Sequence, residues 1–277
     1  MADLPMPAFE RPPLVEVAFA AQFEPLLLRT PDLAVFWMDV LSKRGMTTWR
    51  EGPPIAGAVE LFGIPQAPRL QIQFEQPVQR AMFFDAAETK LVQIQQDRFI
   101  HNWLRPNRKP DSYPRYDVLR NDFKAQFEEF CSFVKTRGHG AITTNQAELT
   151  YVNQIELEQG ASLGDVGALL APCSGRPTDE FLGPAESAEV ALHYVITDPK
   201  GRKAGRLHVE ATPGFTVQNM QPVVLLKLTA RGRYEGDSID SLMAFFDRAH
   251  ECIVRGFASL TTVQMQEKWG RIDGSGQ

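Results

Sequence analysis

Apolar and polar residues alternate from Leu14 to Leu26, "LVEVAFAAQFEPL", which predicts a strand with one face turned to a core. A Thr-Pro-Asp start signal at Thr30 to Asp32 follows, and then Phe36, Trp37, Val40 and Leu41 fall at helical spacing. The order returns in the second half of the chain. Ala147 to Leu157, "AELTYVNQIEL", alternates in the same way and leads to a shorter helical candidate around Leu163 to Leu170. Next, Glu51 to Phe62 and Leu182 to Ile196 each run from a Gly-Pro turn into a strand. "PRLQIQFE", "RAMFFD" and "LVQIQQDRFIHNW" continue the first half, and "GRLHVEAT" and "PVVLLKLTARGRY" the second. Both series read as antiparallel meanders.

Each half then closes on a long amphipathic helix. About Tyr113 to Arg137, the residues Tyr116, Leu119, Phe123, Phe127, Phe130 and Val134 form one stripe, and Pro114 suits a first turn where a missing N–H costs little. About Ser238 to Met265, a second stripe holds Ile239, Leu242, Phe246, Ala249, Ile253, Phe257 and Leu260, with Asp237 or Ser238 as N-cap. The prediction is an α+β fold. It is a tandem duplication of a strand, helix, antiparallel meander and long helix, giving two tightly packed, helix-grip-like lobes at residues 1–140 and 141–277. The connector "TRGHGAITTNQ", Thr136 to Gln146, is too short to decide whether the halves share one sheet.

Within the first meander, Gln93 to Trp103 reads "QIQQDRFIHNW" and fills with side chains that strands seldom bury. Read as one strand, neither face is uniformly apolar. A bulge or bend near Gln96 to Arg98 brings Val92, Ile94, Phe99 and Trp103 together on the core and leaves the Gln-Gln-Asp-Arg centre at an edge or cleft. Two roles follow. In the structural one, Asp97 and Arg98 cap the meander, Asn102 ties a loop, and Trp103 packs beneath Tyr113 and Tyr116. In the functional one, Gln95, Asp97, Arg98, His101 and Asn102 build a recognition cleft, with Trp103 and Arg115 beside it.

The strand "LVQIQQDRFIHNW", the helix start "YPRYDVLRNDF", the opening "PPLVEVAFAAQFEPL" and the closing "MQEKWG" resemble a sporadically distributed bacterial family of uncharacterised proteins of about this length. The resemblance covers most of the chain and brings no activity, cofactor or catalytic residue. It implies a mobile accessory gene of the defence, toxin-control or immunity type.

With 277 residues, of which 43% are hydrophobic and 23% charged, the chain is long enough for one large domain or two modest ones. A net charge of -5 provides no general cationic field, which disfavours nucleic acid as a partner. Two local basic stretches remain, "RPNRKP" with Arg115 and Arg120, and "KGRKAGR" at Lys200 to Arg206. They suit phosphates or an acidic partner. Cys131, Cys173 and Cys252 form no CxxC pair, which points to a reducing cytoplasm. No apolar run approaches the roughly 20 residues that span a bilayer, and the N-terminus lacks the pattern of a signal peptide. The expectation is a cytoplasmic protein with no membrane, metal or cofactor partner; self-association is left open.

Catalytic signatures are incomplete throughout. "HECIV" at His250 lacks the second histidine of a zinc-protease helix, and "HVE" at His208 lacks the downstream cysteine pair of a zinc deaminase. No nucleophile elbow, phosphate loop or dinucleotide fingerprint is present. His193 and His208 fall on neighbouring candidate strands, where they are able to face one another. The function expected is therefore a non-catalytic binding protein acting through a protein partner. One alternative is a small-molecule binder whose cavity is lined by Trp37, Trp49, Phe74, Phe83 and Trp103. The other is a phosphoryl-transfer enzyme using Asp97, Arg98 and His101.

Overall fold

The computed structural model describes residues 5–60, 62, 80–105, 113–158, 161–175, 181–198, 200–217, 219–234, 236 and 238–272. The strand expected at "PRLQIQFE", Phe74, Asp237 and most of "RPNRKP" lie outside the described residues. The strands are β1 (Ala8–Phe9), β2 (Leu14–Phe23), β3 (Met46–Gly52), β4 (Arg80–Asp85), β5 (Lys90–Gln95), β6 (Arg98–Leu104), β7 (Thr144–Glu156), β8 (Val190–Thr197), β9 (Lys203–Phe215), β10 (Pro222–Gly232) and β11 (Arg271–Ile272). The α-helices are α1 (Thr30–Phe36), α2 (Tyr116–Thr136), α3 (Ile239–Leu260) and α4 (Val263–Lys268). The fold is α+β, and no described helix is long and apolar enough to cross a membrane.

Nine strands form one antiparallel sheet in the order β3-β4-β5-β6-β2-β7-β10-β9-β8, while β1 pairs with β11 apart from it. The order repeats between halves. In each, the first strand lies beside the last strand of its meander, and a long helix follows. The seam is β2 against β7, paired from Leu14 opposite Asn153 to Phe23 opposite Thr144. Residues 1–140 and 141–277 thus contribute to a single continuous sheet.

Both long helices cover one face of that sheet. All six stripe residues of α2 are buried, as are Leu242, Phe246, Ala249, Ile253, Phe257 and Leu260 of α3. Phe19, on the central strand, meets both helices: its ring lies 5.7 Å from Phe123 and 5.1 Å from Phe246. Burying such a ring contributes roughly 2–3 kcal/mol, which explains why the aromatic positions dictate where the helices settle. The helices run antiparallel, pinned by Arg120 to Asp247 at 2.6 Å and Lys124 to Asp240 at 3.2 Å.

Four elements differ from expectation. The second long helix stops at Leu260, because Thr261 turns extended and its Oγ1 donates back to the Phe257 carbonyl at 2.7 Å; α4 is a separate turn. The helix expected near Leu163 to Leu170 is a pair of short 3₁₀ turns, Val166–Ala168 and Ala171–Cys173. There Gly164 and Gly167 bring backbone against the Ala185 and Cys173 carbonyls too closely for a side chain. The segment after β3 is irregular rather than a strand from Pro53 to Glu60. Finally, "LVQIQQDRFIHNW" is a hairpin, β5 and β6, turning through Gln96 and Asp97 alone. The two-residue turn inverts strand parity, so Val92 and Ile94 join Phe99 and Trp103 in the core without a bulge.

Candidate functional site

The face of the sheet away from α2 and α3 is polar, and each strand reaches it with alternate residues. β6 contributes Arg98, Ile100 and Asn102; β5 contributes Gln93 and Gln95; β7 contributes Gln146, Glu148 and Thr150; β10 contributes Lys227, Thr229 and Arg231; β9 contributes Arg206, His208 and Glu210. Between Glu16 and Gln22, β2 offers only Ala18 and Ala20. Two small side chains in the middle of a wide sheet leave a low floor, and a groove of about 350 Å³ runs over them. Arg80, Gln93, Arg98 and Asn102 wall one side. Glu148, Arg231, His208 and Lys227 wall the other.

The segment from Pro53 to Glu60 crosses this face. Gln95 holds it near the turn, accepting from the Ile55 N–H at 3.0 Å and donating to the Ile55 carbonyl at 2.9 Å. The same amide donates to Asp97 Oδ1 at 2.5 Å. The turn is tied on its backbone as well, for the Asp97 and Gln96 carbonyls accept from the Phe23 and Leu26 N–H groups. At the far end of the segment, Glu60 enters the second half with its side chain 2% exposed. It accepts from Arg206 at 2.5 Å and meets His208 Nε2 at 2.6 Å, with Arg231 at 3.6 Å. Burial alone raises a carboxyl pKa, but the hydrogen bonds from His208 and Arg206 outweigh it and hold Glu60 below the usual range. Glu148 pairs with Arg231 at 2.5 Å, and Glu210 pairs with Lys227.

The other wall is not neutralised in this way. Arg98, 6% exposed, donates from Nη2 to Gln22 Oε1 at 2.6 Å and to the Ala56 carbonyl at 3.4 Å, while its Nε has no partner. Arg80 Nε is buried and unpartnered too. Among the described residues neither arginine forms an ion pair. Burial lowers both pKa values; for Arg80 the charge of Arg98 adds to the effect, whereas for Arg98 the Glu148 and Asp97 carboxylates offset part of it without forming an ion pair. Beside them Gln146 keeps both amide atoms buried without a partner. Farther along β6 Asn102 is satisfied: Gln93 donates to it at 2.7 Å, and it donates to Glu16 at 2.6 Å. Glu16 is nonetheless raised, because burial exceeds what that hydrogen bond returns.

The residues expected to build a cleft are therefore divided. Gln95, Asp97, Arg98 and Asn102 lie on the open face, where Gln95 and Asp97 touch while Arg98 and Asn102 have other partners. His101 and Trp103 point to the opposite side, into the core under α2, where Trp103 packs on Tyr113 with ring centres 5.3 Å apart. Arg115 is exposed at the start of α2. The trio Asp97, Arg98 and His101 does not assemble, since the sheet separates His101 from Arg98. Trp37, Trp49 and Phe83 form a packed cluster and not a cavity wall. Of the basic stretches, Lys200 to Arg206 is largely engaged: Arg202 pairs with Asp198 at 2.6 Å and Arg206 with Glu60.

Arg80, Glu148, Arg231 and Glu60 escaped the sequence reading. The signal for three of them was present as period-two polar positions on β4, β7 and β10, but it needs strand register to become a site. His193 and His208 do face one another, with ring centres 4.8 Å apart. Among the described residues no three His, Cys, Asp or Glu side chains are grouped to hold a metal ion. No family model matches the chain, and no curated protein matches its sequence.

Proposed function

We propose that the chain is a non-catalytic binding protein of the cytoplasm that takes an acidic segment of a protein partner into the groove on its open face. The pair Arg80 and Arg98 carries this reading. Two guanidinium groups that repel one another, lie partly or fully out of water and form no direct ion pair among the described residues are costly to keep. An incoming carboxylate relieves that cost. The remaining charges suit recognition better than proton transfer. Glu60 and Glu210 are held ionised by their cations, so they act as fixed charges that set which partner fits. An accessory role in defence, toxin control or immunity, as the family resemblance implies, belongs to this proposal.

The test is capture from the native host lysate with tagged chain and with the double variant Arg80→Gln/Arg98→Gln. The expected result is a partner that added salt releases and that the variant, folded by circular dichroism, no longer retains. A folded variant that holds the same partner with the same salt response would remove the arginine pair from recognition.

A further inference from the structure

On the helix side of the sheet, where α2 begins and the N-terminal segment crosses α3, the fold forms an open cavity of about 810 Å³. That volume lies in the range of small-molecule sites. The N-terminal segment is fastened over it by the pairing of β1 with β11 and by hydrogen bonds from Glu10 and Arg11 to the Gly270 and Trp269 carbonyls, both 3.0 Å. Phe9, Leu14, Ile253 and Phe257 give the cavity an apolar body.

Its polar groups form a short relay. The hydroxyls of Tyr113 and Tyr151 lie 3.2 Å apart, and Tyr151 meets His250 Nδ1 at 2.9 Å. The His250 ring stacks flat on Tyr116 at 3.9 Å. Burial keeps the relay uncharged: it raises both tyrosines and lowers His250 to about 4.

The charges at the rim are unequal in their partners. Arg120 is neutralised by Asp247 and Arg255 by Glu251. Asp117 sits in the first turn of α2, where the helix dipole favours a carboxylate. The Arg115 side chain has no ion pair or hydrogen bond among the described residues. Its backbone, at φ 74 and ψ 157, occupies a region that glycine alone adopts readily. A lysine, arginine or other L-residue there is strained, so the fold keeps an unpaired cation at the mouth of an apolar cavity in a conformation it does not favour.

We propose that this cavity binds a small organic anion with a ring-sized apolar body, its acidic group meeting Arg115 at the mouth and its body lying among Phe9, Ile253 and Phe257. The site is separate from the groove on the open face and does not depend on it. An uncharged molecule fills the apolar part equally well; the anion is selected by Arg115.

A pair of fluorescent probes separates these contributions: anilinonaphthalene sulfonate and its uncharged parent, phenyl naphthylamine. The folded native chain is expected to bind each saturably at one site. Arg115→Gly is expected to weaken the sulfonate roughly tenfold while leaving the uncharged probe unchanged. The same variant should melt a few degrees higher, because glycine accepts the local φ without strain. Val254→Trp, which fills the cavity from α3, is expected to weaken both probes. Absence of saturable binding to the native chain overturns the proposal. So does an equal loss of both probes with a lower melting temperature in Arg115→Gly, which would make Arg115 scaffold, or binding of both that Val254→Trp leaves intact.

Discussion

His101 sits between Val92 and Phe19 in the sheet register, completely buried, with neither ring nitrogen hydrogen-bonded. Burial lowers its pKa from 6.5 to about 4, so the folded protein holds it neutral. The unfolded chain takes up a proton near 6.5 and the folded one only near 4, so between those values the unfolded state binds more protons. Stability is fully present above 6.5 and is lost as the pH falls toward 4, by on the order of 3 kcal/mol for this residue. His250 acts in the same direction. Replacing His101 by leucine, similar in volume, removes two unsatisfied polar atoms and should raise stability at neutral pH by about 1 kcal/mol. It should also remove roughly half of the acid slope. Urea unfolding at neutral pH and at about pH 5 checks both effects; a slope unchanged in the variant would locate the acid sensitivity elsewhere. At this scale the sequence was partly legible. Gln95, Arg98 and Asn102 stand out as polar residues among apolar neighbours, but which face His101 takes depends on the turn two residues before β6.

A hairpin of two residues usually announces itself through Asn-Gly or Asp-Gly, which supply positive φ. Gln96 and Asp97 carry no such signal and neither has positive φ, so the hairpin reads as one long strand. Long-range hydrogen bonds from Phe23 and Leu26 to the turn carbonyls hold it instead, and those partners are about 70 residues away in sequence. The long helices were legible for the opposite reason: their stripes are local, and a 3.6-residue period needs no knowledge of the partner. Close strand approach is a further element-level feature. Gly232 and Gly205 lie opposite each other on β10 and β9, and a Cβ on either would press into the backbone carbonyl of Ala204 or Arg231. Gly232→Ala is expected to cost about 1–3 kcal/mol, since backbone and not a side-chain tip must move. Gly175→Ala, with nothing within 4 Å of the added atom, serves as the neutral comparison. Equal melting temperatures for the two variants would show that the strands separate freely at this point.

For the molecule as a whole, the seam between β2 and β7 decides cooperativity. Phe19 on that seam packs against a helix from each half, and Arg120 to Asp247 and Lys124 to Asp240 join the helices above it. Neither half can open its share of the sheet without exposing the aromatic centre of the other. The chain should therefore unfold in a single transition, with calorimetric and van't Hoff enthalpies equal; two resolved transitions would mean that the halves are independent. The α+β class and the long helix closing each half were legible from the sequence, whereas the shared sheet was not, because strand pairing between halves leaves no local mark.

The two ends of that sheet are unlike. β3 carries Arg50 and Glu51 along its outer edge, the kind of charge that discourages a further strand. β8 reads Val-Ala-Leu-His-Tyr-Val-Ile-Thr, has no acidic, basic or proline residue apart from one histidine, and leaves Tyr194 and Val195 42% and 49% exposed. Among the described residues it is paired on one side only. Crowded molecules would thus add to one another through β8 and not through β3. With a single permissive edge, growth stops once two copies have met: an isologous pair closes the edge, where two permissive edges would have made a filament.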